Sequence, residues 1–206
     1  MIPREYRRKF NVTLHIAIVI ASTRPGRRGD QIASWVLTVA QARGGATFEL
    51  IDLTEHNLGN LDEPGNPNHQ KYEHEHTRKW SRLVSSFDGY VFVVPEYNHS
   101  FPGALKNALD FVYREWNDKA AGIVSYGGWV GGARAAEALR LVAAELQMAT
   151  VRAQPAVPLL ATFSSGRFVP TDGLAAQVRD MLDQLIGWSG ALRNVREAKA
   201  AAATQV

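Results

Sequence analysis

Apolar positions along the chain follow two alternating habits, one continuous and one periodic. From Leu14 to Ile20 the sequence reads LHIAIVI, apolar almost without interruption, which suits a strand covered on both faces inside a parallel sheet. The run stops at Ala21-Ser22-Thr23-Arg24 and passes through Pro25-Gly26-Arg27-Arg28-Gly29. It resumes with helical spacing at Ile32, Val36 and Val39, and Gly44-Gly45 supplies a stop. Strand, loop and helix then recur. A strand is expected over 47–53, a helix within 69–86 through Tyr72, His76, Trp80, Leu83 and Val84, and a third strand over 90–94. Phe101, Leu105, Ala108, Leu109 and Val112 predict the next helix, with Ser100 and Pro102 as its start signals. A fourth strand over 120–125 leads to a helix carrying Ala135, Leu139, Val142 and Leu146, and a fifth strand is expected at 149–153. A proline-containing connection over 155–170 precedes a last helix with Leu174, Val178, Met181, Leu182, Leu185 and Trp188. Residues 54–68, rich in Asn, Pro and Gly, read as a lid or partner-contacting loop. Residues 1–12 and the alanine-rich 196–206 read as flexible tails.

Five strands alternating with five helices through short links imply right-handed crossovers in one parallel sheet, with helices on both faces. At 206 residues the chain suits a single domain. The expected architecture is a flavodoxin-like three-layer α/β fold with a five-stranded parallel sheet in the order 2-1-3-4-5. Such sheets bind ligands at the carboxyl ends of their strands where the order reverses, which in the flavodoxin-like order is where FMN sits, between the first and third strands. The loops after strands one, three and four converge there.

Those three loops carry the chemistry. The first brings hydroxyls and guanidinium groups to the point where a helix begins, and free backbone N–H groups and the positive end of the helix dipole suit an anion there. It has neither G-x-x-x-x-G-K-[ST] nor G-x-G-x-x-G, so it is not a triphosphate or pyrophosphate cradle of those kinds. Side-chain donors suit a terminal phosphate monoester, and FMN is such a ligand. The same residues also make an ordinary solvated turn. Ser22 with Arg24, Arg27 and Arg28, next to Gly29, are the candidate phosphate ligands. Pro95, Glu96, Tyr97 and Asn98 from the third loop, with Ser125, Tyr126, Gly127 and Gly128 from the fourth, are placed to flank an isoalloxazine ring. Four glycines at 127, 128, 131 and 132 allow close backbone approach to something flat or anionic, or else a flexible turn.

Composition narrows the alternatives. The absence of cysteine excludes disulfides, thiolate chemistry and Cys-ligated metal, and suits a reducing cytoplasm. A net charge of +3 is mildly basic, yet the one dense cluster, Arg4, Arg7, Arg8 and Lys9, falls in an expected tail, so no nucleic-acid surface is indicated. No run reaches the roughly 20 apolar residues of a membrane span. Removing residues 12–21 as a secretory signal would delete the first strand, so the chain is read as cytoplasmic. His69, His74 and His76 invite a metal reading, but on a helix His74 and His76 face nearly opposite sides, so they are read as solvated.

On three markers the sequence resembles the NAD(P)H-dependent FMN reductase family, which includes quinone, azo-dye and chromate reductases. They are Ser22-Thr23-Arg24-Pro25-Gly26-Arg27, then Pro95-Glu96-Tyr97-Asn98 followed by Pro102-Gly103-Ala104-Leu105-Lys106-Asn107-Ala108-Leu109-Asp110, and Ser125-Tyr126-Gly127-Gly128 with Gly131-Gly132. The resemblance runs from about residue 14 to 181, and departs from the family at Ala21, where Gly is frequent, and near Arg27. Which of Arg27 and Arg28 faces the phosphate stays open. The resemblance implies FMN as cofactor, NADPH or NADH as hydride donor, and a quinone, azo compound or flavin as small-molecule acceptor. It also implies a homodimer or tetramer that packs through the helices after strands three and four, and no catalytic side chain, since the flavin carries the chemistry. Tyr97 and Trp129 are candidate walls of the acceptor pocket. The principal rival is a flavodoxin-like one-electron carrier, whose docking surface is usually acidic, unlike this chain. No G-x-S-x-G occurs for a hydrolase elbow, and Pro95-Glu96 stands where a phosphoacceptor regulator needs Asp.

Overall fold

The computed structural model describes residues 13–56 and 58–204. Strand β1 (Leu14–Ile20) pairs in parallel with β2 (Ala46–Asp52) on one side and β3 (Gly89–Pro95) on the other. β3 pairs along its whole length with β4 (Lys119–Gly127), whose first three residues pair with β5 (Met148–Thr150). The order β2-β1-β3-β4-β5 is the one expected from the sequence. Helices α1 (Gly29–Arg43) and α6 (Asp172–Ala203) cover one face, and α2 (Glu75–Ser85), α3 (Gly103–Asp110) and α4 (Ala133–Glu145) the other.

This double cover explains the unbroken apolar runs. Ile16, Ile18 and Ile20 pack with Val91, Val93, Val178 and Met181, while Ala17 and Val19 alternate to the opposite core with Tyr90, Phe92, Trp80 and Trp116. Gly44 closes α1 with a positive φ of 68°, as its place in the sequence predicts.

The structure departs from the sequence reading in five places. The sheet has a sixth strand, β6 (Ala156–Pro158), which pairs with Ser125 to Gly127 of β4 on the same edge as β5. The fifth position is thus one strand split by a bulge over 152–154. Arg140 and Gln184 satisfy the bulged backbone, through hydrogen bonds to Val151 O and from Ala153 N. The rest of the expected connection holds a short helix, α5 (Leu159–Thr162), and a hairpin of β7 (Phe163–Ser164) and β8 (Arg167–Phe168).

Helix α2 begins at Glu75, because the Glu63 carboxylate accepts the N–H groups of Glu73 and His74 (2.8 and 2.9 Å) and holds the preceding segment extended. His74 therefore lies just outside the helix, and its ring stacks on that of His76 at 5.3 Å instead of facing away. Ser100 does not cap α3; Pro102 occupies that position, while Ser100 bridges to Tyr97. Finally, the expected tail from residue 196 is helical to Ala203, because α6 is anchored: Arg196 donates to Asp88 and to the Asp118 carbonyl (2.6 and 2.7 Å), and Lys199 to Asp118 (2.6 Å). The expected tail over 1–12 lies outside the described residues. No described helix is long and apolar enough to cross a membrane.

Candidate active site

Three loops meet at the carboxyl ends of β1, β3 and β4. Ala21 N–H donates to Val93 O (3.1 Å), the Ser22 hydroxyl lies 2.8 Å from the Tyr97 hydroxyl, and Glu96 N–H donates to Tyr126 O (2.9 Å). The convergence expected from the strand order is thus built into the backbone.

The loop after β1 divides its arginines among three tasks. Arg27 is turned inward: it donates to Ser22 O (3.0 Å) and forms an ion pair with Asp52 at the end of β2. Burial raises the Asp52 carboxyl, but the amide and hydroxyl of Thr54 and the Arg27 guanidinium outweigh it and hold the group below the usual carboxylate value. Arg28 lies over the Phe163 ring, 4.3 Å from its centroid. Arg24 is exposed, and its side chain makes no hydrogen bond or ion pair among the described residues. It borders a cavity of about 290 Å³ lined by Thr23, Arg24, Gly26, Arg27, Thr54 and the acidic Asp30. Helix α1 opens beside it with no cap from the Arg28 side chain; the Asp30 carboxylate accepts the Gln31 N–H (2.9 Å), which leaves the N–H groups of Gly29 and Asp30 for another acceptor. These two N–H groups, the Thr23 hydroxyl and a free guanidinium make a donor set that fits a phosphate monoester, while the Thr54 hydroxyl is committed to Asp52 (2.8 Å).

Gly29 has another use. A Cβ there would stand 2.6 Å from the hydroxyl of Tyr126, so glycine lets that ring slide beneath the first turn of α1. Tyr126 is 3% exposed. Burial pushes its hydroxyl above the usual tyrosine value, with Tyr97 adding to this, so it stays protonated.

In the loop after β3, Glu96 does not face an open cleft. Its carboxylate binds the Arg134 side chain and accepts the Arg134 amide (3.2 Å) at the start of α4. Burial raises this carboxyl as well, and Arg134 with the amides of Arg134 and Ala135 outweighs burial and lowers it. Pro95 is buried, while Asn98 is exposed at a tight turn whose two central residues, Asn98 and His99, have φ of 49° and 69°. Non-glycine residues in the left-handed region mark local strain of the kind found at binding sites.

After β4, Ser125 is committed internally and donates to Gly131 O (2.8 Å). Gly132 is required by the fold: its φ is 82°, and a Cβ would stand 2.6 Å from Tyr126 O. Gly127 is buried, whereas Gly128 is exposed beside Trp129, which is 86% exposed. These two border a second, mainly apolar cavity of about 510 Å³ with Arg28, Leu159, Leu160 and Phe163. Sequence reasoning missed Asp52, Thr54, Arg134 and Phe163. Asp-x-Thr at the end of a strand is a readable turn signal, but nothing in the sequence places Phe163 under Arg28.

Residues 14–161 match the profile of a family described as NADPH-dependent FMN reductase. The chain is 41% identical over 150 residues to an NAD(P)H-dependent FMN reductase of Schizosaccharomyces pombe, covering 72% of this chain and 74% of that one. It is 36% identical over 137 residues to another of that description from a Nectria species, over 62% and 68% of the two chains. Among solved structures, an NAD(P)H:acceptor oxidoreductase flavoenzyme from Paracoccus denitrificans superposes with a TM-score of 0.66 at 19% identity, over 87% of this chain and 98% of that one, which shows the shared fold.

Proposed function

Because the chain belongs to the NADPH-dependent FMN reductase family, we propose that it binds FMN at the carboxyl ends of β1, β3 and β4 and passes reducing equivalents from NADPH or NADH to a small acceptor of the quinone, azo or flavin class. The observation that carries this reading is the free Arg24 guanidinium beside the uncapped start of α1. The chemistry supplied when FMN is bound is acceptance of a hydride and its delivery onward. The chain's own residues bind and orient. Arg24, the N–H groups of Gly29 and Asp30 at the start of α1 and the Thr23 hydroxyl hold the phosphate. Ser22 and Tyr97 join the phosphate loop to the ring loop, so that phosphate and ring are held in one register. Asn98 and Gly128, both exposed, present backbone and side-chain donors along the ring edge, and Trp129 walls the acceptor side. Glu96, Arg27 and Ser125, all candidate ligands from the sequence, act by holding the loops in place.

A homodimer or tetramer belongs to the same reading. Leu141 on α4, 77% exposed, and Trp129 offer apolar surface for it. So does a cytoplasmic location, which a chain without cysteine suits. The test is an absorbance spectrum of the purified protein with FMN, followed anaerobically by NADPH and then benzoquinone. Bleaching of the flavin band by NADPH and its return with quinone is expected. Bound flavin that neither NADPH nor NADH bleaches would instead support a one-electron carrier, and no flavin binding would overturn both.

A further inference from the structure

Of the three arginines in the loop after β1, two have a task. Arg24 faces the phosphate cavity, and Arg27 is paired with Asp52. Arg28 does not line that cavity. Its guanidinium carbon lies over the Phe163 ring, 4.3 Å from the centroid, and among the described residues its side chain makes no hydrogen bond or ion pair. An aromatic face holds a cation without offering an acceptor lone pair, so the five N–H donors of Arg28 stay available on a side chain already held in place.

The ring under Arg28 is fastened to the same helix that Arg28 precedes. Phe163 belongs to the β7–β8 hairpin, and Gln31 in the first turn of α1 grips that hairpin twice. Its amide nitrogen donates to Gly166 O (3.0 Å), and its amide oxygen accepts the Phe168 N–H (2.9 Å). The Phe168 ring packs on that of Phe163 and edge-on to Trp35, at 5.3 Å each. Ring and guanidinium therefore keep one geometry. Beside them lies the second cavity, about 510 Å³, walled by Leu159 and Leu160, with Gly128 and the exposed Trp129 forming the border it shares with the ring loop. Among the described residues that line it, Arg28 carries the one charge.

An apolar wall with a single unpaired cation fits a flat base that carries an anion close by. The two hydride donors of the proposed reaction differ in that respect alone: NADPH bears a phosphate monoester on the ribose that carries adenine, where NADH bears a hydroxyl. Arginine suits such a phosphate because its planar fork meets two oxygens at once. Neutral quinones bring no charge to it, and the flavin phosphate has its own donors around Arg24.

Resting on the proposed function, we infer that the cavity between Trp129 and the β7–β8 hairpin takes the adenosine end of the hydride donor, and that Arg28 binds its 2'-phosphate and makes NADPH the preferred donor. Gln31 and Phe163 are positioning residues that hold the guanidinium at the cavity.

The test is Arg28→Ala in the FMN-loaded protein. Calorimetry with NADP+ and NAD+, the oxidised donors, reads binding without turnover, and kcat/KM is measured with NADPH and with NADH. Wild type should favour the phosphorylated donor about tenfold in both, the lower end of a charge-assisted contact because Arg28 is exposed. Arg28→Ala should erase that preference by weakening NADP+ and NADPH alone, with the Kd for FMN equal to that of wild type. Arg28→Lys should keep part of the preference, since the charge stays and the fork is lost. A wild type without the preference overturns the inference, as does an Arg28→Ala protein that keeps it or that loses NADP+ and NAD+ in parallel. Loss of FMN affinity in Arg28→Ala with the donor preference intact would return Arg28 to the flavin phosphate and overturn the inference too. A wild type that binds no FMN overturns the functional reading itself and this inference with it, whereas a wild type that binds FMN and uses both donors equally overturns only the role of Arg28.

Discussion

Replacing Arg24 and Arg27 by alanine, one at a time, separates two tasks that the loop after β1 gives to its arginines. Arg24 is exposed and its side chain is unpaired among the described residues, so its loss falls in the class of surface changes within about 0.5 kcal/mol. For a chain of this size that is a shift of at most about 2 °C in the apoprotein melting temperature. On the proposed function the same change removes a charge-assisted contact to the phosphate, worth roughly 1.5–3 kcal/mol, so the Kd for FMN should rise roughly 10- to 150-fold. Arg27 should behave in reverse. Its guanidinium and the Asp52 carboxylate are each 16% exposed at the side chain. Breaking a fully buried pair costs roughly 3–5 kcal/mol. Here Thr54 still donates its amide and hydroxyl to Asp52 (3.0 and 2.8 Å), and water reaches the site, so about 1–2 kcal/mol is the fitting figure, or about 2–8 °C. Because the folded Asp52 carboxyl is held below its unfolded value, the pair's stabilisation is complete above the ordinary carboxylate range and is lost as pH falls through the folded value. The melting gap between wild type and Arg27→Ala should therefore close in acid. Differential scanning fluorimetry of the apoprotein and fluorescence titration with FMN measure both quantities. An Arg27→Ala protein that melts like wild type while losing more FMN affinity than Arg24→Ala would refute this division.

Glu96→Gln should lower the melting temperature by about 2–4 °C at neutral pH, the worth of about 1 kcal/mol at a helix start, with the gap from wild type closing in acid because Glu96 is also held low. A gap that widens in acid would exclude the Arg134 contact as the cause. Lys119 donates to Val84 O (2.7 Å) from a buried position, and burial, with Arg196 beside it, pushes its pKa down to about 7 against the ordinary 10.5. Between those values the unfolded chain binds the extra proton, so wild-type stability to urea should rise with pH from about 7 to about 10, a rise that Lys119→Met should lack. Trp129→Ala should raise the KM for a quinone acceptor and leave FMN affinity unchanged in steady-state and binding assays. A loss of FMN affinity would move Trp129 from the acceptor wall to the flavin site.

The parts of the fold that were legible share a physical basis. β1, β3 and β4 are buried on both faces, and only an apolar run satisfies both, so their sequences left no other reading. The split fifth strand was not legible, because its bulge is satisfied by Arg140 and Gln184 from distant helices, and no local pattern announces such partners. The end of α6 failed for the same reason: alanine-rich helix without an apolar face looks frayed until Asp88 and Asp118 are seen to anchor Arg196 and Lys199. At the site, residue type placed the loops but not the direction of each side chain. Arg24, Arg27 and Arg28 are equivalent on paper. Asp52, at the end of a strand on the far side of β1, is what draws Arg27 inward.

Subtracting the internal pairings leaves a short inventory of free groups. Glu96 is neutralised by Arg134, Arg27 by Asp52, and Ser125 is held by Gly131 O. What remains at the loop cluster is the Arg24 guanidinium, the N–H groups of Gly29 and Asp30 at the start of α1, the Thr23 hydroxyl and the buried Tyr126 hydroxyl. All are donors. The acidic Asp30 at the cavity rim lies in the first turn of α1, where the helix dipole favours it. A donor set of this kind holds an anion, while the neutralised Glu96 is fixed away from proton transfer. Binding and electrostatic tuning are the tasks left to the protein when a bound cofactor carries the reaction, so selectivity for the phosphate-bearing flavin over riboflavin measures the site more directly than turnover does.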